Sequence, residues 1–355
     1  MRSTPLETAR ALLDLARGLG FACAGVCGVE PSRWRDELRT WLDAGKHGEM
    51  GYLAQNSELR ENPSRLLEGA RSILVVADRY APRGDADQPS AAAARGRIAR
   101  YARGNDYHKV IKRRLHELCD RAREWRPDAE FRAFVDTAPV LERELAARAG
   151  IGWVAKHTLV INPALGSYLL LGGVATTLEL EAPPEQPVVT DHCGTCTRCI
   201  EACPTNAITP YSVDATRCVS YLTIERRPRI APEFFEGVRD WIFGCDICQE
   251  VCPHNSERRT DVAPPIPDEY TPRRDSFDLL EVLAWTEEHR REAFKSSSMK
   301  RATLAMMRRN ALIAAGNAIR ERGDAGLKRR IEEIASATNE DEMVRQTAID
   351  VLAGL

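Results

Sequence analysis

Eight of the eleven cysteines lie between residues 193 and 252, in two closely spaced groups. The first group spells C-x2-C-x2-C-x3-C-P and consists of Cys193, Cys196, Cys199 and Cys203. The second ends with the spacing C-x2-C-x3-C-P, has one further cysteine upstream, and consists of Cys218, Cys245, Cys248 and Cys252. Such crowding of thiols in a chain of 355 residues indicates metal or redox chemistry.

Two four-iron clusters need eight thiolates, and the tight first spacing is typical of bacterial ferredoxins, in which the fourth cysteine ligates the other cluster. The spacing therefore predicts one [4Fe-4S] cluster on Cys193, Cys196, Cys199 and Cys252. It predicts a second cluster on Cys203, Cys218, Cys245 and Cys248. Two zinc sites are the alternative, although the first spacing is unusual for a zinc ribbon. The other cysteines lie in apolar or helical contexts and are expected in the core; they are Cys23, Cys27 and Cys119.

The rest of the chain falls into segments of different pattern. Helical periodicity predicts early helices at 5–19, 31–44, 106–125 and 138–149. Apolar runs predict strands between them, at 21–29, 72–80, 131–136, 157–162 and 167–180. This alternation favours an α/β domain over residues 1–180. Prolines in 181–189 mark a boundary, after which we expect a ferredoxin-like domain over 181–260. Residues 275–355 are predicted to be all-α, with HEAT-like repeats at 303–324 and 326–355.

Composition limits the class of protein. Hydrophobic residues make up 43% of the chain and charged residues 29%, which fits a folded protein. The formal net charge of −2 excludes a histone-like polycation. No apolar stretch is long enough for a membrane span, and the first residues contain no continuous apolar run typical of a secretory signal. We therefore expect a cytoplasmic protein without a membrane segment.

Positive charge is concentrated in two segments. Residues 290–330 carry twelve Lys and Arg against three acidic residues, and residues 95–114 carry eight against one. Since the whole chain is slightly acidic, this separation of charge favours contact with a polyanion. The alternative is a solvated helix face, which most runs of charge are.

Six long stretches follow one another along the chain: HGEMGYLA (47–54), RENPSRLLEGARSILVV (60–76), RIARYARGNDYHKVIKRRL (97–115), FVDTAPVLERELAARAGIGWVAKHTLVINPALGSYLLLG (134–172), CVSYLTIE (218–225) and FGCDICQEVCPHN (243–255). In sequence and order they resemble the epoxyqueuosine reductase family. The departures are Phe243, where the family often has Tyr, and His254, where Trp is common.

The resemblance implies an activity and its cofactors. Cobalamin would be bound by the N-terminal domain and reduced through the two clusters. The epoxide oxygen of epoxyqueuosine at the wobble position of a tRNA would then be removed as water, giving queuosine. The implied partners are tRNA carrying epoxyqueuosine and an external low-potential electron donor, with the protein acting as a monomer.

The resemblance also implies that Asp136, in the stretch VDTAP, is the proton donor. The pattern of the sequence agrees in part, because Asp136 ends a predicted strand, and ligand sites in α/β sheets lie at such ends. Partial burial there would favour the neutral, proton-donating carboxyl group. The alternative is that Asp136 caps the helix that follows.

Further residues in the resembling stretches are weaker candidates. Hydrogen-bond donors suited to the corrinoid are Arg60, Lys156, His157 and Ser167. Each could instead be an ordinary surface or capping residue. His47 and His108 could in principle bind cobalt, but a lone histidine is more often structural, so we assign neither. In the basic segments and beside Cys218, the candidates for tRNA contact are Arg226, Arg227, Arg308 and Arg309.

Two other functions fit part of the sequence. One is a different corrinoid and iron–sulfur reductase, such as a reductive dehalogenase, although the basic segments and the missing export signal disfavour it. The other is a non-enzymatic electron-transfer protein, which the large N-terminal domain and its carboxylate disfavour.

Overall fold

The structure is a computed structural model that describes residues 3–84, 94–256 and 264–355. Parts of the predicted domains 1–180 and 181–260 therefore lie outside the described residues. In the part that is described, no helix is both long and apolar enough to cross a bilayer.

The N-terminal segment contains both helices and strands. Its helices are α1 (Pro5–Gly18), α2 (Arg35–Asp43), α3 (Ser57–Glu61), α4 (Tyr107–Trp125) and α5 (Glu142–Arg148). Its strands are β1 (Cys23–Gly28), β2 (Ser72–Arg79), β3 (Arg95–Ile98), β4 (Phe131–Phe134), β5 (Trp153–Val154), β6 (Val160–Ile161) and β7 (Leu169–Thr176). The predicted helices thus form, but α2 and α5 each begin four residues later than expected.

The main sheet is antiparallel, which corrects the predicted α/β class. Its strand order is β1-β2-β7-β4, and every neighbouring pair runs antiparallel. The segment is therefore better described as α+β. The prediction failed because alternation of helices and strands along a sequence does not determine whether each strand returns parallel or antiparallel to its neighbour.

This sheet lies between two layers of helices. Leu74 on β2 belongs to the same apolar cluster as Ile111 of α4, whereas Val75 belongs to the cluster that contains Leu145 of α5. Strand β2 is consequently buried on both faces, as its apolar sequence predicts. Gly172 allows helix α4 to approach the sheet closely. A Cβ atom at this position would lie only 2.8 Å from the Ile111 side chain.

The cysteine-rich segment has little regular structure. Its helices are α6 (Arg198–Glu201), α7 (Val219–Ile224), α8 (Phe235–Val238) and α9 (Ile247–Glu250), and its strands are β8 (Ile208–Thr209), β9 (Ser212–Val213) and β10 (Trp241–Phe243). The C-terminal segment adds β11 (Ser276–Asp278), α10 (Leu279–Leu283), α11 (Glu287–Ala293), α12 (Leu304–Arg322), α13 (Ala325–Ser336) and α14 (Glu342–Ala353). The first predicted HEAT-like segment forms the single helix α12, so the repeat itself stays a prediction.

A second sheet connects the three segments. Strand β3 is its central strand and pairs with β10 in parallel and with β11 in an antiparallel manner. One strand therefore comes from each of the predicted domains 1–180, 181–260 and 275–355. The boundaries of those domains stay a prediction, but their backbones share this hydrogen-bonded sheet.

Candidate active site and cluster-binding cysteines

The structure brings together the cysteines that were predicted to share each cluster. Burial raises the pKa of the Cys252 thiol to about 11, and negative charge on Cys193, Cys199 and Cys196 acts in the same direction. These four thiols are therefore neighbours, although Cys252 is far from the others in sequence. Helix α6 carries Cys199 and packs against α9.

The second predicted set is also assembled in space. Burial is the main cause of the raised pKa of Cys248, and the charges on Cys218 and Cys203 raise it further. Burial is also the main cause of the raised pKa of Cys245, and the charges on Cys248 and Cys218 raise it further. Because Cys199 also acts on Cys248, the two sets lie next to each other. Among the described residues, no three His, Cys, Asp or Glu side chains are placed to hold a single metal ion.

Asp136 lies two residues beyond the end of β4, in a sharp turn. Its φ angle is 39°, which is uncommon for a residue other than glycine. The Nε2 atom of His108 is 2.9 Å from Oδ2 of Asp136, and Nδ1 of the same ring is 2.8 Å from Oδ1 of Asp106. Asp106 is also the N-cap of α4 and accepts a hydrogen bond from the backbone N–H of His108. The cap thus fixes the histidine that faces Asp136.

The charges of this pair differ from the sequence-based expectation. Burial disfavours the charged imidazole, but hydrogen bonds to Asp106 and Asp136 outweigh it and raise the pKa of His108 to about 9. Burial would raise the pKa of Asp136, but the hydrogen bond and positive charge of His108 hold it below its ordinary value. The neutral carboxyl group that we expected is therefore not the resting form. At neutral pH the proton is on His108.

Glu142, the first residue of α5, holds the backbone of this turn. Its carboxylate accepts a hydrogen bond from the backbone N–H of Asp136. Burial, followed by the charge on Asp136, raises the pKa of Glu142 to about 8. The alternative in which Asp136 caps the helix is wrong, because Leu141 occupies the position before α5.

Arg143 connects this turn with the second set of cysteines. Its Nη1 atom donates to the backbone oxygen and to Oγ1 of Thr158, at 2.9 and 3.0 Å. Burial lowers the pKa of Arg143, while the charges on Glu142, Asp136 and Cys248 oppose this effect. The side chain nevertheless belongs to an exposed residue. Because the charges on both Asp136 and Cys248 act on this guanidinium, Arg143 lies near the turn and near the second set of cysteines.

The four residues predicted to contact a corrinoid lie in different surroundings. Lys156 donates to the backbone oxygens of Gly194 and Cys196, at 2.7 and 3.0 Å, and so braces the first cysteine loop. Buried Ser167 donates to Gln249 and accepts from Asn255. Arg60 donates to the backbone oxygens of Leu53 and Tyr52.

His157 is the candidate with an unused polar atom. It is buried, and its Nδ1 accepts a hydrogen bond from the backbone N–H of Leu159. Burial lowers the pKa of His157 to about 4, so the ring is neutral and its proton is on Nε2. This Nε2 atom has no hydrogen-bond partner among the described residues.

Two of the predicted tRNA contacts are wrong. Arg309 is fully buried and donates to the backbone oxygens of Leu222, Arg226 and Pro228. Arg308 forms a two-point ion pair with Glu340, in which both side chains are mostly buried. Both arginines of helix α12 therefore make their contacts within the protein. A surplus of positive charge along a sequence does not show which cations point inward.

The other two predicted contacts are partly engaged. Arg226 donates to the backbone oxygen of Arg229 and lies 3.6 Å from a carboxylate oxygen of Glu49. Arg227 donates through Nη1 to the backbone oxygen of Arg301. Both therefore position the segment after α7, and their role toward tRNA stays a prediction.

The sequence analysis missed two residues of the site, His108 and Glu142. His108 was set aside because a lone histidine is more often structural. The available signal was its position two residues after Asp106, a residue type that commonly caps helices. Glu142 gave no signal, because its contact with the Asp136 backbone depends on the path of the intervening turn.

Two adjacent sets of four cysteines, with an aspartate–histidine pair near the second set, define the chain as an iron–sulfur oxidoreductase. A family model described as "4Fe-4S double cluster binding domain" matches residues 192–255, which favours clusters over the zinc alternative. A second, "Epoxyqueuosine reductase QueG, DUF1730", matches residues 60–137. An epoxyqueuosine reductase of Pseudomonas aeruginosa is 39% identical over 319 residues, covering 88% of this chain and 86% of that protein. One from Escherichia coli K12 is 38% identical over 306 residues, covering 84% and 78%. The chain belongs to the epoxyqueuosine reductase family.

Solved structures of the family have the same fold. An epoxyqueuosine reductase crystallised with an epoxyqueuosine-modified tRNA-Tyr stem loop superimposes with a TM-score of 0.84 at 29% identity, covering 96% of this chain and 88% of that one. A Bacillus subtilis epoxyqueuosine reductase, with its catalytic aspartate loop swung out of the active site, gives a TM-score of 0.83 at 28% identity, covering 96% and 88%.

Proposed function

We propose that this chain reduces epoxyqueuosine to queuosine at the wobble position of tRNA, with cobalamin and two [4Fe-4S] clusters as cofactors and Asp136 as the immediate proton donor. The observation that carries the proposal is the position of Asp136. It is held by His108 on one side and Glu142 on the other, and the neighbouring Arg143 lies near both Asp136 and Cys248. A proton source and the end of an electron path therefore meet at one place.

The residues near Arg143 and Thr158 fit a corrinoid. The unpartnered Nε2–H of His157 is a buried donor that needs an acceptor, and corrin side chains end in amide oxygens. His157 is therefore the residue that we assign first to the cofactor. Arg60, Lys156 and Ser167 already donate to protein atoms, so their assignment is weaker. When bound, cobalamin supplies the electrons that cleave the carbon–oxygen bonds.

The protein supplies the protons. Converting an epoxide to an alkene and water consumes two electrons and two protons. His108 holds one proton at Nε2, within 2.9 Å of Oδ2 of Asp136, so the carboxylate can pass it to the departing oxygen and be recharged. Glu142 contacts the same turn and can hold a second proton, because burial raises its pKa to about 8.

The partners and location follow the same proposal. Exposed Lys109 and Lys112 on α4 lie beside and one turn beyond His108, where they can contact phosphates near the wobble nucleotide. We further propose a cytoplasmic monomer that receives electrons from an external low-potential donor. The first set of cysteines suits electron entry, because Gly194, Thr195 and Thr197 in its loop are exposed.

The test is Asp136→Asn, which keeps the side chain's size but cannot donate a carboxylic proton. We expect single-turnover reduction of epoxyqueuosine in a tRNA stem loop to fall about a hundredfold or more, with tRNA affinity retained. Asp120→Asn, an exposed residue on α4, is the matched control and should behave as wild type. Near-normal turnover by Asp136→Asn would contradict the assignment of the acid. Failure of the wild type to form queuosine would contradict the function itself.

A further inference from the structure

Tyr52 is one of the few large apolar side chains that the fold leaves exposed. It retains 43% of its accessible surface. Its backbone is nevertheless fixed, because buried Arg60 donates to the carbonyl oxygens of Tyr52 and Leu53, both at 3.2 Å. A short 3-10 turn over Gly51–Leu53 presents the ring. The exposed ring is thus held in place by a buried cation.

The segment before Tyr52 is anchored to the cysteine-rich part of the chain. The backbone N–H of Glu49 donates to the hydroxyl of Tyr221 at 2.8 Å. A Cβ atom at Gly48 would lie 2.3 Å from that hydroxyl, so the close approach requires glycine there. Tyr221 lies on α7, whose N-cap is Cys218. The position of Tyr52 is therefore set relative to the second set of cysteines.

One side of the Tyr52 ring is covered by a cation. The Arg301 guanidinium carbon lies 5.3 Å from the ring centroid. Glu225 fixes this guanidinium through a two-point ion pair, in which Nη2 and Oε2 are 2.6 Å apart. Arg301 remains 45% exposed, whereas Glu225 is mostly buried. The ring and the guanidinium thus form a defined contact at the surface, the Tyr52–Arg301 pair.

The Tyr52–Arg301 pair lies near Asp136. Burial raises the pKa of Tyr52, and charges on Glu225 and Asp136 contribute to the increase. The hydrogen bond to Glu225 raises the pKa of Arg301, and the charge on Asp136 contributes there as well. Asp136 is therefore near enough to act on both members of the pair.

We propose that the Tyr52–Arg301 pair is a stacking platform for a nucleobase next to the modified wobble nucleotide; this proposal depends on the function proposed above. Single-stranded RNA loops are bound by stacking unpaired bases on aromatic rings and on guanidinium planes. The ring offers its uncovered side to the base, and Arg301 adds positive charge near the backbone. Because every base has a flat apolar face, the platform accepts any neighbouring base. It orients the anticodon loop without selecting its sequence.

The test measures binding of an epoxyqueuosine-containing anticodon stem loop by fluorescence anisotropy. Tyr52→Ala should weaken binding about tenfold or more, whereas Tyr52→Phe keeps the ring and should stay within about twofold of wild type. Trp125→Ala is the matched control, because Trp125 is similarly exposed at the far end of α4 from His108. Its affinity should be unchanged. Equal losses for Tyr52→Phe and Tyr52→Ala would overturn the proposal, as would no loss for Tyr52→Ala.

An abasic substitution identifies the stacked base. The affinity of wild type and of Tyr52→Ala is measured for stem loops that lack the base on one or the other side of the wobble position. For one of the two positions, we expect the abasic change to weaken wild-type binding and to have no further effect on Tyr52→Ala. Fully additive losses at both positions would overturn the platform. Queuosine formation by wild type on the intact stem loop is measured in parallel, so that a failure of the proposed function is recognised separately.

Discussion

The Nε2 atom of His108 lies 2.9 Å from Oδ2 of Asp136, across 28 residues of sequence. Asp106 binds the opposite side of the same imidazole ring. The carboxylates on the two sides raise the pKa of His108 to about 9, so the ring holds its proton at neutral pH. His108 therefore carries the proton, and one hydrogen bond connects it to Asp136, the residue proposed to deliver that proton.

The first prediction concerns pH. Because the pKa of His108 is raised from 6.5 to about 9, the stability that its ion pairs contribute is full below about pH 6.5 and is lost as the pH rises through about 9, where the imidazole gives up its proton. We expect the single-turnover rate to fall about tenfold per pH unit above this point. His108→Gln should be slow at neutral pH and should lack the decline near pH 9. An identical alkaline decline in that variant would assign the titration to another group.

The second prediction separates two roles of Glu142. Glu142→Gln retains an oxygen that can accept from the Asp136 backbone N–H, whereas Glu142→Ala removes it. If the contact positions Asp136, Glu142→Ala should lower the single-turnover rate about ten- to a hundredfold. Glu142→Gln should stay within a few-fold of wild type in a first turnover. Equal losses in both variants would show that the proton of Glu142 matters more than its acceptor oxygen.

The third prediction concerns Arg309. Arg309→Met keeps most of the volume but leaves the carbonyl oxygens of Leu222, Arg226 and Pro228 without their donor. Each loss costs about 1–3 kcal/mol when the group stays buried. We expect the melting temperature of the cluster-loaded protein to fall on the order of 5 °C.

Arg329→Met is the control for Arg309→Met. Arg329 is exposed on α13, and within residues 3–84, 94–256 and 264–355 its side chain forms no hydrogen bond or ion pair. Its melting temperature should change by about 1 °C or less. An unchanged melting temperature for Arg309→Met would mean that water replaces the guanidinium at these carbonyls.

The fourth prediction concerns crossed ligation. Cys203→Ser should remove the cluster that also needs Cys218, Cys245 and Cys248, and iron content should fall from about eight to about four per chain. Cys119→Ser, a buried cysteine of α4, should keep the full iron content. Loss of both clusters in Cys203→Ser, with the fold intact, would argue against separate ligation. Stoichiometric zinc in anaerobically purified protein would exclude the clusters.

Features that depend on local spacing could be predicted from the sequence. The cysteine intervals indicated a segment that binds two four-iron clusters, because ligand geometry dictates those intervals, whereas the assignment of each thiol to one cluster stays a prediction. Helix α4 was predicted from 106–125 and forms over Tyr107–Trp125, since its apolar stripe and its Asp106 cap are local signals. Strand β2 was evident from its apolar run.

Features that depend on the path of the chain could not be predicted. The direction of each strand depends on where its connection returns, so the antiparallel sheet was missed. Arg308 and Arg309 look like a surface patch in sequence, but the rotation of α12 turns both toward buried acceptors. His108 acquires its role only when α4 and the turn after β4 are packed together.

The sheet formed by β10, β3 and β11 has a consequence for biosynthesis. Its central strand is made before residue 100, yet one neighbour lies at Trp241–Phe243 and the other at Ser276–Asp278. During translation β3 must wait for about two fifths of the chain before β10 can pair with it, and contacts so distant in sequence form slowly. All eight cluster cysteines, the last of which is Cys252, are therefore made before β11 can complete this sheet. Cofactor insertion can precede the final closure of the fold.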